Sequence, residues 1–259
     1  MSRLMSLVVC GCALAGLAVP AVAAAQPAYV ALGDSYASGV GTRTYYSDGS
    51  SCQRSPDAYG PRIAAARGYA LTFEACSGAT TTDVNSSQLG PLNGTTNLVT
   101  ITIGGNDAGF STVITDCAAY YFPCQSAIDS ADSFIQNKLP ALLDTTYSDI
   151  RARAPSAHVV VLGYPHLFTA AGATCNFDAL TSSHEKELNQ TADLLDGVVS
   201  ARATAHRFTY VDPRTPFASH EICSSSEWLN GLSWPTSESF HPNISGQGEF
   251  TSLVEAVLP

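Results

Sequence analysis

Short apolar runs that alternate with longer helix-like segments are the feature that most constrains what this chain can fold into. Residues 98–103 read Leu-Val-Thr-Ile-Thr-Ile and residues 158–162 read His-Val-Val-Val-Leu, and such β-branched runs favour strands. Residues 180–205, in contrast, carry leucines and valines at helical spacing. Strands that alternate with helices predict a parallel sheet covered by helices on both faces.

The complete pattern predicts a three-layer α/β sandwich with a central parallel sheet of about five strands. The predicted strands are residues 29–32, 70–75, 98–103, 158–162 and 208–211. The predicted helices are a segment late in 57–67 that Gly68 ends, 125–153 with a break at Pro140, 180–205 and 244–257. No repeat or proline-rich linker interrupts the chain, so we expect one domain over residues 26–259.

The N-terminal segment, residues 1–25, has the pattern of a signal peptide. A positive charge precedes an apolar run, and small residues lead up to Ala25, as they do before an export cleavage site. The run is too short for a membrane span, and a lipoprotein signal at Cys10 or Cys12 would leave a very short apolar region. We therefore expect cleavage near Ala25 and a secreted, extracellular protein.

The charge balance excludes several classes of partner. The chain has 12 Lys and Arg residues against 22 Asp and Glu residues, a formal net charge of −10. It therefore has no basic patch of the kind that binds nucleic acid, and anionic membranes would repel it. Beyond the signal peptide no segment is long and apolar enough for stable membrane insertion. We expect a monomer that binds neither nucleic acid nor an anionic membrane by charge.

The cysteines of an exported chain predict disulfides. The sequence has eight, of which Cys10 and Cys12 lie in the predicted signal peptide. The remaining six allow 15 pairings, and our preferred pairing joins sequence neighbours: Cys52–Cys76, Cys117–Cys124 and Cys175–Cys223. A zinc site is the competing interpretation, but the chain contains no Cys-x-x-Cys and no His-Glu-x-x-His. We expect no metal and no cofactor.

Residues 29–39 place a serine where a helix follows a strand. They read Tyr-Val-Ala-Leu-Gly-Asp-Ser-Tyr-Ala-Ser-Gly, with the turn at Gly33 and Asp34. At the start of a helix the N–H of Ser35 would be unpaired, and the helix dipole would place partial positive charge beside its hydroxyl. An acyl-transfer nucleophile needs this geometry, because the N–H can stabilise an oxyanion. The alternative is that Asp34 or Ser35 only caps a helix.

Polar groups at two further strand ends could complete such a site. Gly78 follows the second predicted strand, and Asn106 follows the third in Gly-Gly-Asn-Asp. Chemistry in a parallel sheet collects at the carboxyl ends of its strands, so the N–H groups of Ser35 and Gly78 and the Asn106 amide could form an oxyanion hole. Each donor of this kind stabilises a transition state by roughly 3–4 kcal/mol. Among six histidines, His241 lies directly before the last predicted helix and is the candidate base.

Four blocks in this order resemble the GDSL or SGNH hydrolase superfamily, and specifically its secreted actinobacterial (Streptomyces-type) lipase and esterase branch. They are Gly33-Asp34-Ser35, Gly78, 104–107 and His241 in Ser-Phe-His-Pro. The resemblance implies an SGNH-type, flavodoxin-like sandwich and a serine esterase or lipase that hydrolyses carboxylic esters of acyl lipids or of shorter acyl groups. It also implies an acyl-enzyme on Ser35, an oxyanion hole from Ser35, Gly78 and Asn106, His241 as general base, and three sequential disulfides.

One position departs from the superfamily pattern. An Asp usually lies three residues before the histidine, and this chain has Glu238 there. The Glu238 carboxylate is one methylene further from the backbone than that of an Asp at the same position. We expect Glu238 to orient His241, and the alternative is a Ser35–His241 dyad held by a backbone carbonyl.

Four other side chains near these blocks have structural explanations. Asp34 and Asp107 are expected to hold the strand-end turns, and Trp228 and Trp234 are expected in the core; a wall for an acyl chain is the alternative for the tryptophans. A fold with a decayed site that only binds glycan or lipid would not need Ser35, Asn106 and His241 together. A carbohydrate O-acetyl esterase is the second enzymatic candidate. The rival α/β-hydrolase motif, Gly-x-Ser-x-Gly, does not occur.

Overall fold

The computed structural model describes residues 25–118, 124–169 and 180–259. The predicted signal peptide, except Ala25, therefore lies outside the described residues, and so does Cys175.

A five-stranded parallel sheet forms the centre of the molecule, as the sequence predicts, and helices pack around it. The strands are β1 (Ala28–Gly33), β2 (Ala70–Phe73), β3 (Thr96–Thr102), β4 (His158–Leu162) and β5 (Thr209–Val211). Their order in the sheet is β2-β1-β3-β4-β5. The order reverses between β1 and β3, and in open parallel sheets such a switch point forms the crevice that binds ligands.

The two central strands are buried because their side chains are apolar on both faces. Leu32 and Ile101 have no exposed surface, and they are paired in register between β1 and β3. The next pair is Gly33 with Thr102. This register brings the residues that follow β1 and β3 to the same edge of the sheet.

Nine α-helices occur in the described residues, and most lie where the apolar periodicity predicts them. They are α1 (Ser35–Ser38), α2 (Tyr59–Arg67), α3 (Thr81–Asp83), α4 (Phe110–Ala118), α5 (Cys124–Asn137), α6 (Leu139–Arg153), α7 (Ser182–Ala205), α8 (Arg214–Phe217) and α9 (Ile244–Glu255). Gly68 ends α2 in the left-handed conformation, with φ of 69°. The predicted break at Pro140 is confirmed, because α5 ends before Lys138 and Pro140 lies in the first turn of α6.

Several short elements have no counterpart in the sequence analysis. They include α4 and a π-helical turn, Val84–Gln88, that follows α3 directly. The π-helical turn holds Gln88, which is buried against the end of β1. A single π-helical turn gives no hydrophobic periodicity of its own, so pattern reasoning does not detect it.

Disulfides join Cys52 to Cys76 and Cys117 to Cys124 in the structure. The first ties the loop after α1 to the segment that carries Gly78. Cys223 is also disulfide-bonded, and its predicted pairing with Cys175 stays a prediction because Cys175 is outside the described ranges. Within those ranges no helix has the length and apolar character needed to cross a bilayer, and no three His, Cys, Asp or Glu side chains cluster as a metal site would require.

Candidate active site

Ser35 begins a very short helix at the carboxyl end of β1. Asp34 is its N-cap, and the Asp34 carboxylate accepts a hydrogen bond of 2.9 Å from the Tyr36 N–H. Gly39, with φ of 89°, ends the helix after one turn. The capping role therefore belongs to Asp34, and the Ser35 side chain stays available although the residue is only 8% exposed.

His241 lies against the Ser35 hydroxyl. Its Nε2 is 2.8 Å from Ser35 Oγ, and its Nδ1 is 2.8 Å from the carbonyl oxygen of Ser239. A carbonyl can only accept a hydrogen bond, so Nδ1 carries the proton and Nε2 presents a lone pair to the serine. The pair has the tautomer that removal of the serine proton requires.

The surroundings of His241 keep its imidazole neutral. Burial lowers the pKa of His241 from 6.5 to about 4, although the hydrogen bond to the Ser239 carbonyl opposes this shift. The ring packs against Tyr36, with 5.3 Å between ring centroids. Because an apolar environment disfavours the imidazolium, His241 is a free base at neutral pH.

The structure does not bring Glu238 to the imidazole, contrary to our expectation. The Glu238 carboxylate accepts a hydrogen bond of 2.8 Å from the Tyr45 hydroxyl, and its other oxygen is 3.9 Å from the Arg43 guanidinium. The Ser239 carbonyl occupies the position on Nδ1 instead. A left-handed backbone at Phe240, with φ of 62°, bends the chain between that carbonyl and His241. The alternative geometry, a dyad with a main-chain acceptor, is the one observed.

Gly78 and Asn106 both lie beside this edge of the sheet. Gly78 has φ of 80°, and a side chain there would meet no atom within 4 Å, so open space adjoins its backbone. Asn106 lines the same cavity as Ser35. Its amide donates one hydrogen bond, of 3.0 Å, to the carbonyl of Ala79, which leaves the second amide hydrogen for a ligand.

The aspartates hold the strand-end turns, as predicted. Asp107 accepts hydrogen bonds from the backbone N–H and the hydroxyl of Thr81, the latter at 2.6 Å. Asp34, only 1% exposed, accepts from the Tyr164 hydroxyl in addition to the Tyr36 N–H, and burial raises the pKa of Asp34 to about 7.

Tyr164 is a site residue that sequence reasoning missed. Its hydroxyl accepts a 3.1 Å hydrogen bond from the Gly105 N–H while it donates to Asp34. It therefore links the residue before Ser35 to the residue before Asn106. Its position directly after β4, which ends at this same edge of the sheet, was the signal that could have indicated the role.

An apolar pocket extends from Ser35 between the sheet and helices α4, α5 and α7. Six lining residues carry polar groups: Asp34, Ser35, Tyr36, Asn106, Tyr164 and Thr191. The remainder of the lining is Gly105 and apolar side chains, namely Phe110, Val113, Ile114, Ala131, Ile135, Leu167, Leu188 and Leu195, with Ala108, Pro165 and Ala192 beside them. Neither Trp228 nor Trp234 lines this pocket, so the alternative of a tryptophan wall for an acyl chain is wrong, and the core position that we expected for both holds for neither in full. Trp228 is half-buried, stacked on His220 at 3.6 Å between centroids, whereas Trp234 is 84% exposed and not in the core.

Comparisons with known proteins identify the family to which this fold belongs. Residues 31–248 match the model of the GDSL-like Lipase/Acylhydrolase family. The chain is 47% identical over 245 residues to Lipase 1 of Streptomyces coelicolor, covering 92% of this chain and 89% of that protein. Its fold is similar to the crystal structure of an extracellular lipase from Streptomyces rimosus, with a TM-score of 0.86 and 42% identity over 90% of this chain and 100% of the other. It is also similar to phospholipase A1 from Streptomyces albidoflavus NA297, with a TM-score of 0.85 and 44% identity over the same shares.

Proposed function

Since this chain belongs to the GDSL-like lipase/acylhydrolase family and is a carboxylic ester hydrolase, we propose that it cleaves acyl lipid esters through an acyl-enzyme on Ser35. The observation that carries the proposal is the 2.8 Å contact between Ser35 Oγ and His241 Nε2. A serine hydroxyl becomes a nucleophile only when a base can take its proton, and the position and tautomer of His241 support that role.

The reaction follows from this pair. As Ser35 Oγ bonds to the ester carbonyl carbon, its proton moves to His241 Nε2, and the carbonyl electrons move to oxygen. The imidazolium then gives the proton to the leaving alkoxide as the ester C–O bond breaks. In the second half a water molecule loses its proton to His241 and attacks the acyl-enzyme, and Ser35 recovers its proton when the carboxylic acid leaves. The Ser239 carbonyl holds Nδ1–H throughout, so no carboxylate is required for orientation.

The oxyanion formed in each half would accept hydrogen bonds from the N–H groups of Ser35 and Gly78 and from the Asn106 amide. As the first residue of α1, Ser35 has no intrahelical acceptor for its N–H. The Gly78 N–H makes no hydrogen bond within the part of the chain that the structure describes. Asn106 retains one free amide hydrogen, so three donors are available where negative charge develops.

The apolar pocket supports a fatty acyl substrate over an acetyl ester. Its lining by leucines, isoleucines and Phe110 would bury methylene groups, and each buried methylene contributes about 0.8 kcal/mol. An acetyl group has none to bury, so the pocket offers little to a carbohydrate O-acetyl ester. The names lipase and phospholipase A1, given to relatives, agree with a lipid substrate.

Export of the protein is part of the proposal. The signal-peptide pattern of residues 1–25 and the disulfides of the structure both favour an extracellular enzyme with its catalytic domain in residues 26–259. N-terminal sequencing of the exported protein tests this: a start near Gln26 supports it, and retention of residues 1–25 contradicts it.

Covalent labelling tests the mechanism directly. A fluorophosphonate should label the purified wild-type protein, and Ser35→Ala should lose both the label and ester hydrolysis. Ser86→Ala, at an exposed position on the π-helical turn, is the matched control and should keep both. Undiminished labelling of Ser35→Ala would remove Ser35 from the role.

A series of p-nitrophenyl esters from acetyl to palmitoyl, with acetyl-xylan alongside, should show higher kcat/KM for fatty acyl esters than for acetyl esters.

A further inference from the structure

The loop that closes on His241 exposes two large apolar side chains. We call residues 231–239 the Trp234 loop. Trp234 is 84% exposed and Leu232 is 52% exposed, and both are among the four most exposed large hydrophobic residues of the described chain. A solvent-facing tryptophan costs free energy that burial would recover, and Trp is the side chain that prefers the boundary between apolar and aqueous phases.

This exposure is imposed by a well-anchored backbone. Asn230 exchanges hydrogen bonds with the residues at the far end of the loop, donating to the His241 carbonyl and accepting from the Phe240 N–H, each at 2.9 Å. Within the loop the Ser233 N–H donates to Ser239 Oγ at 3.0 Å, and the Glu238 carboxylate accepts from Tyr45. A surface held in place loses little conformational entropy when it binds.

A groove connects one of the exposed side chains, Leu232, to His241. Its lining contains both Leu232 and His241, and Phe110 and Ile114 belong both to this groove and to the apolar pocket beside Ser35. Among the described residues that line it, His241 is the only one with a titratable side chain; the others are serines, threonines and apolar residues. The groove therefore forms a path free of Asp, Glu, Lys and Arg side chains from Leu232 to the apolar pocket beside Ser35.

The charge of the molecule restricts what can cover this surface. No Asp, Glu, Lys or Arg occurs from Trp228 to Ser237, whereas the whole chain has a net charge of −10. An uncharged tip on an acidic protein would avoid anionic lipid, because the remainder of the protein is repelled. It suits an electrically neutral lipid surface, where tryptophan inserts at the level of the headgroups.

We propose that the Trp234 loop docks the enzyme on aggregates of zwitterionic or uncharged lipid, with Trp234 and Leu232 inserted in the interface. The groove then faces the lipid, and a single acyl chain can pass from the aggregate toward Ser35 without crossing bulk water. This inference rests on the proposed function, because it gives the surface a role beside a lipid-cleaving site. Its binding step is independent of catalysis, so the two can be tested separately.

The experiment measures binding in a Ser35→Ala background, where vesicles stay intact. Full-length mature protein is mixed with phosphatidylcholine vesicles and the bound fraction is determined by flotation. Adding Trp234→Ala should lower the partition constant at least about tenfold, which corresponds to about 1.4 kcal/mol. Trp228→Phe, at the half-buried tryptophan, is the matched control and should bind within twofold. Vesicles that contain phosphatidylserine should bind less protein at low salt, since the protein is acidic.

A fluorescence measurement places Trp234 itself. In the Ser35→Ala, Trp228→Phe protein Trp234 is the sole tryptophan, because the chain has two. Its emission should shift to the blue on addition of phosphatidylcholine vesicles, and brominated acyl chains should quench it. The proposal would be overturned if the Trp234→Ala protein had the same partition constant as the protein with Trp234, or if the emission of Trp234 did not change when vesicles are added. So would a Trp234-dependent dimer in sedimentation without lipid, because the surface would then bind a second copy.

Failure of the proposed function gives a different pattern. If the wild-type protein binds vesicles through Trp234 but cleaves no ester, the docking surface stands and the proposed function is contradicted. If the wild-type and Trp234→Ala proteins cleave vesicle lipid at equal rates, and also cleave a dissolved ester at equal rates, the proposed function stands and the docking surface is contradicted. Trp234→Ala should lower hydrolysis of vesicle lipid at least about tenfold, at a lipid concentration below saturation, while hydrolysis of a dissolved short-chain ester stays within twofold, because Trp234 does not line the pocket or the groove.

Discussion

The two halves of the proposed catalytic pair, Ser35 and His241, are built in opposite ways. Ser35 follows a buried strand in the centre of the sheet, and the strand register fixes where it lies. His241 lies in a segment, residues 228–243, whose regular structure consists of one 3₁₀ turn (Thr236–Glu238) and an isolated bridge from Leu229 to Pro242. The two side chains therefore meet although only Ser35 follows directly on a strand of the sheet.

The irregular half takes its position from the regular one. The Tyr36 hydroxyl, one residue after Ser35, donates a 2.6 Å hydrogen bond to the Phe240 carbonyl, one residue before His241. Gln247 of α9 donates from its side chain to the Tyr36 carbonyl at 3.0 Å. Because these bonds are buried, each is costly to leave unmade, and they hold the histidine segment against the serine turn.

The largest expected effect comes from removing the contribution of the irregular half. His241→Ala should lower kcat by roughly 10⁴-fold or more, because a serine without its base loses the activation of the whole unit. Steady-state kinetics on a p-nitrophenyl ester measure this. The control is His184→Ala, since His184 lines neither the pocket nor the groove, and it should stay within twofold. Activity of His241→Ala above about a tenth of wild type would mean that another group takes the proton.

A pH profile shows how completely the irregular half excludes water. Burial lowers the pKa of His241 to about 4, and the neutral form is the base, so kcat/KM should fall only as the pH drops through about 4. At pH 4.5 an exposed histidine would be about 1% neutral, roughly a 100-fold loss, whereas this enzyme should keep more than about half of its plateau. Near-ultraviolet circular dichroism at each pH checks that the protein stays folded. An acid limb near pH 6.5 would show that the segment leaves His241 open to solvent.

The regular half can be weakened without touching a catalytic atom. Buried Gln88 acts as a substitute strand residue: its side chain accepts from the Gly33 N–H at 2.8 Å and donates to the Gly33 carbonyl at 2.9 Å. Gln88→Met keeps the approximate shape but leaves that N–H unpaired, so the free energy of unfolding should fall by about 2 kcal/mol. Urea denaturation measures the loss. Gln125→Met, on an exposed position of α5, should change the free energy by less than about 0.5 kcal/mol, and an equally small effect at Gln88 would contradict this support.

The smallest expected effect is that of Glu238→Gln. It distinguishes the observed hydrogen-bond acceptor of His241 Nδ1, the Ser239 carbonyl, from the expected one, the Glu238 carboxylate. Glu238→Gln keeps an oxygen for the Tyr45 hydroxyl and leaves the Ser239 carbonyl untouched. It should therefore retain more than about half of the wild-type kcat/KM, a loss of under roughly 0.4 kcal/mol. A fall of orders of magnitude in kcat would show that the carboxylate, and not the main chain, stabilises the imidazolium. Tyr45→Phe, which removes the other partner of the same bond, is the matched comparison and should also stay within a few-fold.

What the sequence could predict follows the same division. The sequence predicts the strands because each is a local run of apolar and β-branched residues. The carboxyl ends of parallel strands lie at one edge of the sheet, and this general geometry predicts that Ser35 and Asn106 lie close together. The orientation of the Glu238 side chain depends on Tyr45, which is 193 positions away along the chain, and the exposure of Trp234 depends on a loop closed through Asn230. The apolar pocket requires the packing of three helices against the segments that follow β1, β3 and β4. Such contacts leave no periodic pattern in the sequence. For this reason the predictions for Glu238 and Trp234 were wrong, and the apolar pocket was not predicted.

The Ser239 carbonyl has a consequence for how this enzyme can vary. The atom that holds the imidazole belongs to the main chain, so every amino acid at position 239 supplies it, and no single codon change there can delete it. At the acid position the side chain does matter, but to a different contact: a substitution of Glu238 removes the acceptor of the Tyr45 hydroxyl and leaves the acceptor on His241 Nδ1 in place. Substitutions at these two positions can therefore accumulate with small changes in stability, while the groups that transfer the proton in the proposed mechanism stay the same.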